Sequence, residues 1–145
     1  MNIKLSDKQI EQIAEDLDCG EKCFYNIETK EVKSIIDTTD SWDLTDEYKA
    51  ELAEIEGNQD NYFEFKKMDS RSFFLTMEAF ISEIPDERFR NKLVNALNKP
   101  KPFRNFKIEI DKESDYRQSW FDFKKQKMIE WVKDQIEDFH TSNLE

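Results

Sequence analysis

The side chains best suited to hold a charged partner lie where aromatic and basic residues alternate. The stretch Lys99-Pro-Lys-Pro-Phe-Arg-Asn-Phe-Lys107 is followed thirteen residues later by Trp120-Phe-Asp-Phe-Lys124. Arginine and lysine attract carboxylate and phosphate groups, and such basic segments are typical of anion-binding surfaces. The segment 99–127 is therefore the predicted binding region.

The spacing of the rings predicts which side chains of this segment reach solvent. Phe103, Phe106, Trp120 and Phe123 recur at helical spacing, which favours core packing over stacking on a ligand. If the two phenylalanines before Arg104 and Lys107 point inward, the cations point outward. We expect a binding face formed by Arg104, Lys107, Trp120 and Lys124. We expect its packed support to be Phe103, Phe106, Phe123 and Trp131.

Further cations extend this face, and an alternative interpretation remains open. The additional basic residues are Lys101, Lys125 and Lys127. The alternative is that the cations pair with Glu109, Asp111 and Asp122, each exposed pair contributing less than ~1 kcal/mol.

Residues for nucleophilic catalysis are scarce. His140 is the one histidine, five residues from the end, and we expect an exposed imidazole there on a helix end that frays. No Ser-His or Cys-His pair can form without it. The chain has no HExxH, P-loop or dinucleotide-binding motif. We expect no enzyme activity and no cofactor.

Enzyme activity through carboxylates remains an alternative, either by acid–base catalysis with paired acids or by binding a metal ion. Four aspartates share one polar stretch: Asp37, Asp40, Asp43 and Asp46. They could hold a divalent cation, but the stretch lacks the glycine and the terminal glutamate of a calcium loop. A solvated acidic loop is the favoured interpretation.

The two cysteines, Cys19 and Cys23, are more informative about the cellular compartment than about a catalytic or metal-binding role. Their Cys-x3-Cys spacing, without a second pair, is weak evidence for a metal site. Two ordinary thiols, no signal-peptide pattern and no long apolar run predict a cytoplasmic protein that does not act at a membrane.

Composition predicts a folded domain with an acidic body. The 145 residues suggest a single domain over 1–145, and the 13% of aromatic residues offset a charged fraction of 38%. The net charge is −11, but residues 86–133 carry 13 Lys and Arg against 8 Asp and Glu, giving +5. The acidic remainder disfavours nucleic acid as a partner.

The elements that must position these residues are predicted from caps, breakers and periodicity. Ser6 and Gln9 predict a capping box, and Gly20 predicts the end of that helix. Strands are predicted over 22–27, 32–36 and 61–67. Further helices are predicted over 45–57, from Asp69 or Ser70 to Pro85, over 86–98, from Pro102, and over 114–139.

This order predicts a helix-rich α+β fold with a small, about three-stranded antiparallel sheet and most helices on one face. Along the fourth helix, Phe89, Leu93, Val94 and Leu97 are predicted to point inward.

The chain also resembles a bacterial family catalogued as uncharacterised protein family 0158. The stretches that carry the resemblance are Ile27-Glu-Thr-x-Glu-Val32, Asp69-Ser-Arg71, Met77-Glu-x-Phe-Ile81, Ala96-Leu97, Phe103-Arg-x-Phe-Lys107, Trp120-Phe-x-Phe-Lys124 and Trp131. Two positions depart from it: Lys99–Pro102 replaces a glycine-containing linker, and Asn105 replaces a basic residue. The resemblance implies no catalytic residues.

Together these features predict a non-enzymatic protein-interaction or regulatory module. The alternative is a nucleic-acid-associated protein that uses the basic segment 99–127. The least favoured interpretation is a carboxylate- or metal-dependent enzyme.

Overall fold

The structure, a computed structural model, describes residues 3–36 and 46–142. They form two compact units: a first unit of residues up to Lys67 together with those from Met128 onward, and a second unit of Met68–Lys127. The predicted helix-rich α+β class with a three-stranded antiparallel sheet is confirmed. The single domain over 1–145 stays a prediction.

The first unit contains the sheet. Its elements are α1 (Asp7–Asp18), β1 (Glu21–Asn26), β2 (Val32–Ile36), α2 (Asp46–Gly57), a short 3-10 turn (Gln59–Asn61) and β3 (Tyr62–Phe65). The strand order is β2-β1-β3, and both pairings are antiparallel. The predicted strands are confirmed to within two residues at each end. Thr45, where the second helix was predicted to begin, lies outside the described residues.

Local signals at the start of α1 act as predicted. The Ser6 hydroxyl accepts a hydrogen bond from the backbone N–H of Gln9, and the Gln9 side chain accepts one from the backbone N–H of Ser6. Gly20 follows the helix with φ of 89°, a left-handed conformation that glycine adopts at little cost. The predicted stripe is buried: Ile10, Ile13, Ala14 and Leu17.

The sheet carries α1 on one face and α2 on the other, whereas most helices were expected on one face. Because side chains alternate along a strand, Cys23 and Phe24 of β1 point to opposite sides. The Cys23 thiol contacts the Ile13 carbonyl of α1 at 3.9 Å, whereas Phe24 packs in a cluster with Ile55 of α2. The alternating strand pattern therefore builds a helix–sheet–helix arrangement within the first unit.

The last part of α6 (Ser114–Ser142) fastens two points of the first unit. Gln135 accepts a hydrogen bond from the Lys66 N–H at 2.7 Å and donates one to the Lys66 carbonyl at 2.9 Å. His140 Nε2 accepts a hydrogen bond from the Ile3 N–H at 2.9 Å. The expected exposed imidazole on a fraying end is therefore wrong: His140 is half-buried and binds the chain near its start.

The second unit is helical throughout. It consists of α3 (Ser70–Ser82), α4 (Glu87–Leu97), α5 (Pro102–Asp111) and residues 114–127 of α6. Asp69 caps α3 by accepting from the Ser72 N–H at 2.7 Å, and Asp86 caps α4 by accepting from the Arg88 N–H at 3.0 Å. Pro102 occupies the first turn of α5, as predicted.

Trp120 of α6 lies in the core of this unit, with 6% of its surface exposed. Its ring centroid is 4.8 Å from that of Phe106, 5.3 Å from Phe80, 6.0 Å from Phe73 and 6.5 Å from Phe123. These rings come from α3, α5 and α6, so one tryptophan joins three helices.

We predict that Trp120→Ala lowers the free energy of unfolding by about 3–5 kcal/mol, because it leaves a large cavity among aromatic rings. The neighbouring Phe121 is exposed, and two cations lie over its ring, Arg117 at 5.1 Å and Lys124 at 5.4 Å from the centroid. Phe121→Ala is the matched control, with an expected loss of about 1 kcal/mol. Urea unfolding of both variants measures the difference, and equal losses would contradict the proposed role of Trp120.

Candidate interaction surface

The cations predicted for the binding face lie on the outer side of α5. Arg104 and Lys107 are exposed, and Phe106 between them is 2% exposed. Within residues 3–36 and 46–142, neither Arg104 nor Lys107 forms an ion pair. The geometry therefore leaves both charges available to a partner, while their binding role stays a prediction.

The remaining residues of the predicted site are divided between core, surface and the other unit. Trp120, assigned to the binding face, is buried and belongs to the packed support, because rings of three helices enclose it. Phe123 is half-buried beside it, whereas Phe103 is 39% exposed and touches Phe73 at 5.6 Å. Lys124 lies over the Phe121 ring at 5.4 Å.

Trp131, predicted as part of the packed support, lies in the first unit. Its indole N–H donates to the Lys66 carbonyl at 2.8 Å. Its helical spacing was visible in the sequence, but the unit in which that part of α6 packs was not.

The turn before α5 holds its residues in an unusual conformation. Lys101 has φ of 60° and ψ of 57°, a left-handed conformation that costs a non-glycine residue roughly 1–2 kcal/mol. Asn105 donates from its side chain to the Pro100 carbonyl at 2.9 Å and fastens this turn. This explains why an amide at position 105 is useful: it positions the start of α5.

A basic groove runs between α4 and α5. Its volume is about 330 Å³. Four residues line it from the α4 side and four from α5, each set at i, i+3, i+4, i+7 spacing: Lys92, Asn95, Ala96 and Lys99, then Asn105, Ile108, Glu109 and Lys112. Glu109 pairs with Lys112 at 3.4 Å, whereas Lys92 and Lys99 form no ion pair in the described part of the chain. The groove therefore carries two uncompensated positive charges.

A second groove, on the other side of α4, is less charged. Its volume is about 290 Å³, and its lining includes Phe74 and Ile81 of α3 with Val94 and Leu97 of α4. Glu78 and Arg90 contribute one charge of each sign. Val94 is 42% exposed, so its predicted inward orientation is wrong. Leu93 and Leu97 fill the core, and Val94 is turned toward the groove.

Between the two grooves lies a face of α4 that sequence reasoning missed. We call it the α4 crest: the exposed residues Asn91, Val94, Asn95 and Asn98, spaced i, i+3, i+4, i+7. No residue of the α4 crest is charged, in a chain with 38% charged residues. Depletion of charge around exposed apolar atoms is typical of the centre of a protein interface. The repeated asparagines were the signal available in the sequence.

The thiols and carboxylates do not assemble a second site in the described residues. No group of three or more His, Cys, Asp or Glu side chains there is placed to hold a metal ion. Asp37, Asp40 and Asp43 of the predicted acidic loop lie outside the described residues; Asp46 is the first residue of α2. Cys19 is exposed and Cys23 is buried, and both are free.

Comparison with known proteins places the chain in a family. The model of the uncharacterised protein family UPF0158 matches residues 2–144. The chain belongs to this family. The resemblance drawn from the Phe-Arg-x-Phe-Lys and Trp-Phe-x-Phe-Lys stretches is therefore confirmed.

One curated UPF0158 protein, from Pseudomonas aeruginosa strain PAO1, is 31% identical over 62 residues. The match covers 43% of this chain and 40% of that relative, so the shared part spans less than half of the relative. No solved structure matches the chain. Within the described residues, no helix is at once long enough and apolar enough to cross a membrane.

We predict that Lys101→Gly leaves the protein as stable or up to about 1 kcal/mol more stable, because glycine adopts the left-handed conformation without a steric cost. Lys125→Gly, at an exposed position inside α6, should instead lose about 1 kcal/mol. Thermal or urea unfolding compares the two variants. A destabilised Lys101→Gly protein would show that the turn is not strained.

We also predict different reactivities for the two thiols. Burial raises the pKa of Cys23 to about 11, and the nearby carboxylates of Asp16 and Glu21 act in the same direction, against a lowering by the Ser34 hydroxyl. At pH 8 about one Cys23 in a thousand is a thiolate. Iodoacetamide followed by peptide mass spectrometry should label Cys19 in the native protein and Cys23 only after unfolding. Equal labelling at pH 8 would contradict this.

Proposed function

We propose that this protein acts by binding another protein, without catalysis, through the surface of its second unit. The observation that carries the proposal is the α4 crest, an exposed and uncharged helix face with a basic groove on one side and a largely apolar groove on the other. Interface centres are depleted of charge and rimmed by polar groups, which is the pattern found here.

Charge supports an acidic partner surface. The second unit carries 13 Lys and Arg against 10 Asp and Glu, a net +3, and the rest of the chain carries 9 against 23, a net −14. Unpaired cations of the second unit, such as Arg104 and Lys107 on the outer side of α5, attract carboxylates and accelerate association. Since exposed charges are screened over about 8 Å at physiological salt, the local sign of this surface decides what docks there.

Nucleic acid is a weaker candidate for the same surface. The chain as a whole carries a net charge of −11, which repels a long polyanion. The α4 crest also provides no positive charge to neutralise a phosphate, since it consists of three asparagines and a valine. The free thiols suit a reducing compartment, and we place the protein in the cytoplasm.

A photo-crosslinking amino acid placed at position 94 tests this function in bacterial cells. We expect discrete protein adducts from position 94 and none from position 49, an exposed lysine on α2. Arg104→Glu with Lys107→Glu should reduce the adduct roughly tenfold, because a loss of about 1.4 kcal/mol weakens binding tenfold. Lys4→Glu with Lys8→Glu, at exposed positions of the first unit, should leave it unchanged.

Two results would overturn the proposal. The first is adducts that disappear after nuclease treatment, which would identify nucleic acid as the partner. The second is a position 94 that yields no more adduct than position 49 in a protein whose circular dichroism is unaltered.

A further inference from the structure

The shape of the α4 surface selects for a helical ligand. Both grooves run along α4, and their linings follow the i, i+3, i+4, i+7 repeat of a helix. A ligand helix presents its side chains with the same repeat and packs them into such grooves. An extended peptide alternates its side chains every two residues and needs backbone partners from a strand edge, whereas the backbone N–H and C=O groups of α4 are engaged within the helix.

The charges fix the chemistry of one flank of that ligand. Lys92 lies in α4, and Lys99 lies two residues past Leu97, the last residue of that helix. Two carboxylates seven residues apart on a ligand helix are about 10.5 Å apart along its axis, and the long, flexible lysine side chains can each reach one of them. Lys112, the third lysine of this groove, is already paired with Glu109. The basic groove thus calls for two acidic side chains, two helical turns apart.

The opposite groove fixes the chemistry of the other flank. Phe74, Ile81 and Leu97 line it, and the exposed Val94 stands at its border with the α4 crest. The charges of Glu78 and Arg90 cancel, so apolar side chains are favoured there. Arg90 also donates to the Ile84 carbonyl at 2.7 Å, which holds its guanidinium at the wall of the unit.

We infer that the partner binds through an acidic amphipathic α-helix that lies along α4. Its apolar stripe packs over Val94 and into the α3–α4 groove, and two acidic residues at i, i+7 pair with Lys92 and Lys99. The arrangement is that of a coiled coil, in which an apolar seam gives affinity and flanking charges choose the partner. The inference rests on the proposed protein-binding function and specifies the segment that is bound.

The probe is a lactam-stapled 18-residue helix with a leucine stripe and glutamates seven residues apart on one flank. Fluorescence anisotropy at about 150 mM salt measures its affinity for the full chain, and amide shifts in NMR spectra locate it. We expect shifts at residues 91–98 and in α5. A peptide with lysine in place of each glutamate should bind at least tenfold more weakly.

A charge swap separates this contact from nonspecific attraction. Lys92→Glu with Lys99→Glu should reverse the preference, so that the lysine peptide binds more tightly than the glutamate peptide. Lys4→Glu with Lys8→Glu changes the net charge of the chain by the same amount and should keep the original preference. An unreversed preference would overturn the inference.

The remaining outcomes are also decisive. If crosslinks at position 94 form but neither peptide binds, the helix is wrong and the protein-binding function stands; if both experiments fail, both proposals fail. Inorganic tripolyphosphate or a 20-nucleotide single strand that shifts residues 91–98 more strongly than the peptide would make this an anion site. Sedimentation showing a dimer that Lys92→Glu with Lys99→Glu dissociates would make the occupant a second copy of the chain.

Discussion

The burial of Trp120 is the constraint on which the second unit depends. One indole contacts rings from α3, α5 and α6, so the positions of these helices are set together. Phe106 is held on the inner side of α5 by the same contact, and Arg104 and Lys107 are therefore held on its outer side. In this segment Phe106 and Trp120 therefore pack in the core, and the basic residues Arg104 and Lys107 are exposed to solvent.

α4 divides its residues between a buried stripe and an exposed face. Phe89, Leu93, Ala96 and Leu97 fill the core, and the small side chain of Ala96 leaves room for the basic groove. The α4 crest contributes little to the core. Substitutions on the α4 crest should leave the fold intact and so test the proposed binding role, whereas changes on the inner stripe disturb the fold, because a packed interior does not tolerate lost volume.

Sequence reasoning succeeded where the signal was local and failed where distant residues decide. The Ser6 capping box, the Asp69 and Asp86 caps and Pro102 act through bonds to their own neighbours, so helix starts were predictable. Trp120 and Val94 were misplaced because periodicity gives a helix face but not what covers it. Likewise, nothing near Trp131 in the chain shows that its indole binds Lys66. The sequence indicated that residues 99–127 belong to the candidate site. The two grooves could not be predicted, because they depend on how α3, α4 and α5 pack against one another.

The hydrogen bonds between the Gln135 side chain and the Lys66 backbone occupy the edge of the sheet just after β3. β3 is an outer strand, and such strands attract foreign strands when their amides and carbonyls are unoccupied. The Gln135 side chain fills both backbone groups of Lys66, immediately after β3 ends, and so imitates the neighbour that an intruding strand would supply. Together with the Trp131 indole, which also donates to the Lys66 carbonyl, it leaves neither backbone group of this residue open to a foreign strand.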